Sequence, residues 1–214
     1  MLETKHGTAT MTTNQPASPR QQLLTLLAKH SFKLGDFQLS SGARSDYYID
    51  CRTTTLHAEG ARLTGLAILD LLAHHHLQPH AVGGLTLGAD PIVSAVSIAS
   101  AQRHVEMKSG RLIHGFLVRK AEKQHGTGRK IEGFNEAQAP VLIVDDVCTT
   151  GGSTITAIES ARDAGMRVIG VACLVERSEA KGRPAVEAAA NGAPFLSLFT
   201  ADDVRAEHVK HMPM

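Results

Sequence analysis

The stretch VLIVDDVCTTGGST, residues 141–154, carries the clearest chemistry in the chain. An apolar run leads into two adjacent carboxylates, a threonine- and glycine-rich turn follows, and a helix is predicted to begin after the turn. Glycines let backbone N–H groups approach an anion closely, and the start of a helix adds a partial positive charge. The turn therefore predicts a binding site for a phosphate monoester, with hydroxyl donors from Thr149, Thr150, Ser153 and Thr154 around Gly151 and Gly152.

Asp145 and Asp146 need a different explanation, because a carboxylate would repel a phosphate. They can accept hydrogen bonds from ribose hydroxyls, or hold a cation that a sugar phosphate brings. The stretch thus predicts a site for a ribose that carries a 5-phosphate. It lacks the GK[ST] ending of a Walker loop and is not a GxGxxG turn. The alternative, a strand-to-helix turn with the acids as polar caps, leaves the ordered set of acids, hydroxyls and glycines unexplained.

The elements that would position this turn alternate along the chain. Apolar runs predict strands, and amphipathic or apolar stretches between them predict helices. Strands are expected at residues 81–85, 112–118, 140–144, 167–175 and 194–199, and helices at 90–101, 153–164 and 184–190. Before them, helices are expected at 21–29 and 57–72, with short strands at 38–39 and 47–50. Strands that alternate with helices predict an α/β fold with a mainly parallel, twisted sheet flanked by helices.

The polar segment at residues 119–138 contains no convincing element and holds the basic run RKAEKQHGTGRK. A structureless segment of this length inside a compact domain is usually functional or disordered. The alternative to a functional loop is a solvated run of charges, and composition alone does not choose between the two.

The composition excludes several classes of protein. The 214 residues are 43% hydrophobic and 20% charged with a formal net charge of +1, so no global charge favours nucleic acid. Cys51, Cys148 and Cys173 lack the spacing of a disulfide framework or zinc site, which favours a reducing cytoplasm. No apolar run reaches the about 18 residues that would span a membrane. Residues 1–18 lack the apolar core of a signal peptide and predict a disordered leader.

Residues 141–153 resemble the phosphoribosyl diphosphate binding motif of the type I phosphoribosyltransferases, in which an apolar run, two acids and a Thr/Gly loop follow one another. Three further segments resemble the orotate phosphoribosyltransferases within that family. They are FQLSSGARSDYYIDCR (37–52), GGLTLGADPIVSA (83–95) and RKAEKQHG (119–126). The resemblance implies a parallel-sheet core, a small N-terminal hood over the base and a mobile loop that closes over the diphosphate.

The resemblance also implies an activity. The expected reaction is the Mg2+-dependent transfer of ribose 5-phosphate from phosphoribosyl diphosphate to orotate, giving orotidine 5′-monophosphate and diphosphate in pyrimidine (UMP) biosynthesis. The Mg2+ would arrive on the diphosphate and have no direct protein ligands. The enzyme would be a cytoplasmic homodimer with shared active sites, without nucleic acid or membrane partners. One domain would span residues 19–214, with a hood segment at about 19–56 and a core at about 57–214.

Individual residues receive roles from the same resemblance. The expected catalytic residues are Lys120, Lys123, His125, Asp145 and Asp146. Arg119 would join the two lysines and the histidine on the diphosphate, and their loop would reach into the neighbouring subunit's site. Further contacts to phosphoribosyl diphosphate are expected from Asp145, Asp146, Val147, Cys148, Thr149, Thr150, Gly151, Gly152 and Ser153. Orotate, an anion, is expected to contact Thr149 and the cation Arg177.

Two positions depart from the family pattern. Ser40 and Leu87 stand where some members carry a lysine that would face anionic substrate groups. Arg52 and Arg44 are the candidates to replace these charges. Cys148 is expected to be a spacer in the loop, because the reaction needs no covalent nucleophile.

Two other functions compete with transfer to orotate. The first is a purine or uracil phosphoribosyltransferase, against which the segment at 37–52 and Arg177 argue. The second is a non-catalytic regulator that senses phosphoribosyl diphosphate and binds nucleic acid. The near-neutral charge and the RKxxKxH pattern at residues 119–125 argue against that function.

Overall fold

A six-stranded sheet forms the centre of the computed structural model, which describes residues 17–38, 44–108, 110–120 and 130–212. The strands are β1 (Phe32–Gln38), β2 (Arg44–Ile49), β3 (Ala81–Leu85), β4 (His114–Val118), β5 (Ile131–Gly133), β6 (Pro140–Cys148), β7 (Arg167–Glu176) and β8 (Phe195–Thr200). The helices are α1 (Pro19–His30), α2 (Arg52–Thr55), α3 (Ala58–His74), α4 (Ala89–Met107), α5 (Gly152–Asp163), α6 (Arg183–Ala190) and α7 (Ala201–Lys210), with a 3-10 turn at Ser178–Ala180.

The central sheet has the order β5-β4-β3-β6-β7-β8. Strand β5 is antiparallel to β4, and the other neighbours are parallel. Strands β1 and β2 form a separate antiparallel hairpin. The predicted mainly parallel α/β architecture is therefore confirmed. All four carboxyl ends of β3, β4, β6 and β7 meet at one edge, where a ligand site is expected in such a sheet.

Several sequence-based boundaries were wrong. The segment at 119–138, expected to lack any element, contains β5, a three-residue edge strand too short to show a periodic pattern. The strand expected to stop at residue 144 continues to Cys148, because Asp145 and Cys148 keep their register with Cys173 and Glu176 of β7. Helix α7 follows the last element expected from the sequence, and its capping box joins Thr200 and Asp203. The expected leader falls almost entirely on residues 1–16, which lie outside the described residues.

The two faces of the sheet pack against separate hydrophobic clusters. Side chains alternate along β6, so Leu142 and Val144 join one cluster while Val141 and Ile143 join the other. The first cluster also holds buried residues of α1, α3, α4 and α7, and the second holds those of α5 and α6. Among the described residues, no helix has the length and apolarity needed to cross a membrane.

The hairpin packs against the core through buried side chains that belong to the first hydrophobic cluster. Phe32 and Tyr47 stack with ring centroids 5.2 Å apart, and both belong to the cluster that contains Leu63 and Ile68 of α3. This packing fixes β2, and therefore the residues that follow it, relative to the edge of the sheet.

A buried carboxylate on α7 joins that helix to α1. Glu207 accepts a hydrogen bond from the Thr25 hydroxyl at 2.7 Å, from Lys210 Nζ at 3.0 Å, and pairs with His211 at 3.1 Å. Hydrogen bonds from Thr25, Lys210 and His211 lower the pKa of Glu207 from 4.5 to about 2. This stabilisation is complete above the ordinary pKa and is lost as the pH falls from about 4.5 toward about 2.

We therefore expect Glu207→Gln to lower the melting temperature by several degrees at neutral pH, and by progressively less as the pH falls toward the folded-state pKa. Thermal unfolding of both proteins across an acid pH series measures this. Glu187→Gln, which removes a half-exposed carboxylate on α6, is the control. A difference that stays constant over the whole series would show that charge is not the cause.

Candidate active site

An open cavity of about 330 Å³ lies where the carboxyl ends of the parallel strands face the hairpin. It is lined from the hairpin side by Tyr48, Ile49, Asp50 and Arg52, and after β3 by Leu85, Thr86, Leu87 and Gly88. Its other walls are Lys120 after β4, then Asp145, Asp146, Val147, Thr149 and Ser153, and finally Arg177 after β7.

The cavity brings together seven residues expected from the sequence to touch substrate: Lys120, Asp145, Asp146, Val147, Thr149, Ser153 and Arg177. Five other expected residues do not line it: Arg119, Cys148, Thr150, Gly151 and Gly152. Arg119 instead donates to Glu132 at 3.2 Å. Lys123 and His125 lie outside the described residues, as does Ser40.

The carboxylate of Asp145 is held in a fixed orientation beneath the cavity. Its Oδ2 accepts a hydrogen bond from Thr154 Oγ1 at 2.6 Å, and its Oδ1 accepts one from the backbone N–H of Asp146 at 3.0 Å. Burial raises the pKa of Asp145, and the bond from Thr154 opposes that rise. Thr154 is buried and its hydroxyl is committed to Asp145, so its expected role as a phosphate donor was wrong.

Asp146 presents its carboxylate closer to the cavity surface. Its Oδ1 accepts the backbone N–H of Val147 at 2.9 Å. Burial raises the pKa of Asp146, while the Val147 N–H and the charge of Arg52 oppose the rise. A Cβ atom on Gly88 would lie 2.4 Å from Asp146 Oδ1. Glycine at position 88 therefore allows the segment after β3 to approach this carboxylate.

The turn after β6 leads into the first turn of α5. Gly151 has φ +83°, a conformation that favours glycine, and a Cβ there would lie 2.4 Å from Val186 Cγ2. Its function is therefore to form the turn beneath α6. Helix α5 begins at Gly152, so its first N–H groups lack helical acceptors and point toward the cavity end of the helix.

The side chain of Cys148 points into the core. It is 1% exposed, and burial raises the pKa of its thiol to about 11. A thiol in this state is a poor nucleophile. The position fits the role of a spacer between the acids and the turn.

Arg177 joins the core to the hairpin and is only 7% exposed. Its Nε donates to Tyr47 Oη at 2.8 Å and to Glu179 Oε1 at 2.9 Å, and its Nη2 donates to Ser45 Oγ at 3.2 Å. Its guanidinium also lies 4.5 Å from the centre of the Tyr47 ring. The neighbouring Tyr48 is 42% exposed and lines the cavity, so the two tyrosines of β2 have different environments.

Sequence reasoning did not foresee the pair formed by Arg52 and Asp50. Asp50 Oδ1 accepts from Arg52 Nε at 2.9 Å, and Oδ2 accepts from Nη2 at 2.9 Å. Both residues line the cavity. Arg44, the other candidate to replace the absent lysines, pairs instead with Asp36 on the exposed side of the hairpin. The spacing of Asp50 and Arg52 was the only sequence signal for this pair, and it indicates a role in the site only once the hairpin is known to face the sheet edge.

Comparisons with known proteins identify the family of the chain. A model of the phosphoribosyl transferase domain matches residues 116–189. The orotate phosphoribosyltransferase of Streptomyces avermitilis is 42% identical over 185 residues, which cover 86% of this chain and 96% of that protein. The orotate phosphoribosyltransferase of Thermosynechococcus vestitus is 44% identical over 191 residues, covering 89% of this chain and 95% of that protein. The chain belongs to the orotate phosphoribosyltransferase family.

Solved structures of orotate phosphoribosyltransferases share the fold. One from Mycobacterium tuberculosis, in complex with Fe(III) dicitrate, has a TM-score of 0.73 at 38% identity and covers 87% of this chain and 98% of that one. Another from the same organism, in complex with 5-phospho-alpha-D-ribosyl 1-diphosphate, has a TM-score of 0.70 at 34% identity, covering 87% of this chain and 99% of that one. The family and fold predicted from the sequence are thus confirmed.

For this member of the orotate phosphoribosyltransferase family, we expect Thr154 to act through Asp145. Thr154→Val removes a hydrogen bond to a buried carboxylate, which should lower kcat by about tenfold. Because the bond favours the ionised form, its loss should also move the acid limb of the pH–rate profile to higher pH. Thr154→Ser keeps the hydroxyl and should restore both the rate and the profile. An unshifted profile in the valine variant would contradict this role.

Proposed function

We propose that the protein catalyses the transfer of ribose 5-phosphate from phosphoribosyl diphosphate to orotate, giving orotidine 5′-monophosphate and diphosphate. The observation that carries the proposal is a single cavity lined by Asp145 and Asp146, by Thr149 and Ser153 of the turn that follows them, and by the buried cation Arg177. Relatives about 40% identical over most of the chain are orotate phosphoribosyltransferases.

The phosphate end of the substrate would bind at the start of α5. Ser153 and Thr149 line the cavity there and offer hydroxyl donors beside the unpaired N–H groups of the helix. The ribose would then lie over Asp145 and Asp146, whose carboxylates accept hydrogen bonds from its hydroxyls. When the bond from C1 to the diphosphate breaks, positive charge develops on the ribose, and the two fixed carboxylates stabilise it.

The base would bind on the hairpin side of the ribose. Orotate carries a carboxylate, and Arg177 provides a cation whose orientation is fixed by Tyr47 and Glu179. Thr149 lines the same cavity and is the second proposed contact to orotate. The hairpin would act as the hood over the base, with Tyr48 on its cavity side.

The diphosphate would leave toward Lys120 and the loop that follows it. Lys120 lines the cavity, and Arg119, Lys123 and His125 are proposed from the family resemblance as further cationic contacts. A cationic loop that closes over the site stabilises the leaving group and excludes water that would hydrolyse the sugar phosphate.

The donors at the cavity fit an Mg2+ ion that arrives with the diphosphate. Mg2+ prefers oxygen ligands and usually binds through one or two carboxylates together with substrate phosphates. Asp145 and Asp146 provide carboxylates at the cavity and would lie near the ion that the diphosphate carries, without being its direct ligands. The ion, when bound, neutralises charge on the leaving diphosphate.

We further propose a cytoplasmic homodimer whose loops act across the interface. If Lys123 serves the neighbouring subunit, a dimer of one Lys123→Ala subunit and one Asp145→Asn subunit contains one site free of both changes. We therefore expect mixed dimers to recover part of the wild-type rate, although each variant alone is nearly inactive. Tagged subunits purified as verified heterodimers make the measurement. Activity no higher than that of the parent variants would refute the shared site.

A panel of bases tests the proposed function. The protein is mixed with phosphoribosyl diphosphate and Mg2+, and the ultraviolet absorbance of orotate, uracil, hypoxanthine or adenine is followed in parallel. Mg2+-dependent consumption of orotate alone is the expected result. Consumption of a different base would keep the site for the sugar phosphate and overturn the assignment of Arg177.

A further inference from the structure

Arg52 is the most open fixed cation on the hairpin side of the cavity. It is the first residue of α2, directly after β2, and its side chain is 47% exposed. Its backbone N–H and its Nε both donate to Asp50 Oδ1, at 3.1 and 2.9 Å, and its Nη2 donates to Oδ2 at 2.9 Å. These three bonds fix the plane of the guanidinium before any ligand arrives.

The pair with Asp50 leaves part of the guanidinium available. A guanidinium carries five N–H donors, and Asp50 takes one from Nε and one from Nη2. Nη1 makes no hydrogen bond to any residue in the described part of the chain. Two or three donors can therefore reach an anion in the cavity, in the planar arrangement that suits phosphate oxygens.

The other described cations that line the cavity, Arg177 and Lys120, cannot balance the charge of a diphosphate alone. Arg177 is buried and already bonded to Tyr47, Glu179 and Ser45. Lys120 lines the cavity as a single point charge. A diphosphate carries more negative charge than one lysine balances, and Leu87, which also lines the cavity, contributes no charge.

We propose that Arg52 is a direct contact for the diphosphate group of the substrate, lining the same cavity as Lys120 and oriented by Asp50. The inference rests on the proposed function for the identity of the substrate. Arg52 lines the cavity with Asp50 and Tyr48 from the segment at the end of the hairpin, whereas the turn at 149–153, where the 5-phosphate would bind, follows β6. Arg52 lines the same cavity as Asp146, and its positive charge opposes the rise in the pKa of that carboxyl.

Binding of two separate halves of the substrate tests this contact. Calorimetry measures the affinity of the wild type and of Arg52→Gln for diphosphate with Mg2+, and for ribose 5-phosphate. We expect the variant to bind diphosphate about tenfold or more weakly, since a charge-assisted contact is lost, and to bind ribose 5-phosphate as the wild type does. Arg44→Gln, which removes the exposed arginine paired with Asp36, should change neither affinity.

A second variant distinguishes the loss of the Arg52 contact from repulsion by the unpaired carboxylate of Asp50. Arg52→Gln leaves Asp50 unpaired at the cavity, and that carboxylate could itself repel diphosphate. In the double variant Asp50→Asn with Arg52→Gln, this charge is absent, and we expect binding of diphosphate to remain weak. Recovery of wild-type affinity in the double variant, or an equal loss for ribose 5-phosphate in the single variant, would overturn the proposal. These binding results stand whether or not orotate proves to be the base.

Discussion

Replacement of Asp145 or Asp146 by asparagine is expected to lower kcat on the order of 10²–10³-fold while the fold stays intact. Each change removes a fixed negative charge from the place where positive charge develops on the ribose. For Asp145, asparagine has the same shape; its carbonyl oxygen can accept the backbone N–H of Asp146 while its NH2 donates to Thr154 Oγ1, so the shape of the site is kept. The loss should therefore appear in the chemical step.

The stability of the Asp145→Asn variant provides an internal check. Burial raises the pKa of Asp145 above its ordinary value of 3.8, so the ionised carboxylate disfavours the folded state. This cost is absent below pH 3.8, grows as the pH rises toward the folded-state pKa of about 7, and is constant above it. We expect the variant to melt at or above the wild-type temperature at neutral pH.

Steady-state kinetics and thermal unfolding of the same preparations test both expectations. Asp36→Asn, which changes an exposed hairpin acid outside the cavity, is the matched control and should have wild-type kinetics. Normal rates in both active-site variants would refute the assignment of the loop.

Replacement of Arg177 by lysine is expected to raise the KM for orotate by roughly 10- to 150-fold, the range of about 1.5–3 kcal/mol for a lost charge-assisted hydrogen bond. Lysine keeps the positive charge but cannot reproduce the planar set of bonds to Tyr47, Glu179 and Ser45. The KM for phosphoribosyl diphosphate should change little, because the turn at 149–153 is untouched.

Arg205→Lys is a close control for the Arg177 variant. Arg205 also lies over the Tyr47 ring, at 5.0 Å, and pairs with Asp46, but it does not line the cavity. Initial rates with each substrate varied in turn distinguish the two positions. Equal increases in both KM values of Arg177→Lys would mean that the substitution disturbs the whole site and not the base contact.

The parts of the site that could be predicted from sequence are local in the chain. The two acids, the turn and the start of α5 lie within residues 145–153, so their order alone indicates a strand, a loop and a helix start around an anion. The parallel sheet was predictable for a similar reason, since most of the apolar strands are bounded by turns and followed by a helix.

The contacts that the sequence could not supply join distant segments. Arg177 donates a hydrogen bond to Tyr47, which lies 130 positions away in the sequence, and no local pattern in either segment predicts that contact. Thr154 looked like another hydroxyl of the phosphate turn, but the helical path of α5 turns it under Asp145. The choice between Arg44 and Arg52 depended on which side of the hairpin faces the sheet, which is set by packing of Phe32 and Tyr47.

The most direct measurement of the central claim follows both products of the transfer in one reaction. Orotate, phosphoribosyl diphosphate and Mg2+ are incubated with the protein; orotate is followed by absorbance, and the phosphorus species by nuclear magnetic resonance. The proposed transfer predicts that orotate disappears and diphosphate appears in equal amounts. For every orotate consumed, one orotidine 5′-monophosphate should form and give a new phosphomonoester signal. Phosphoribosyl diphosphate that stays intact beside orotate, or that is hydrolysed while orotate remains, would contradict it.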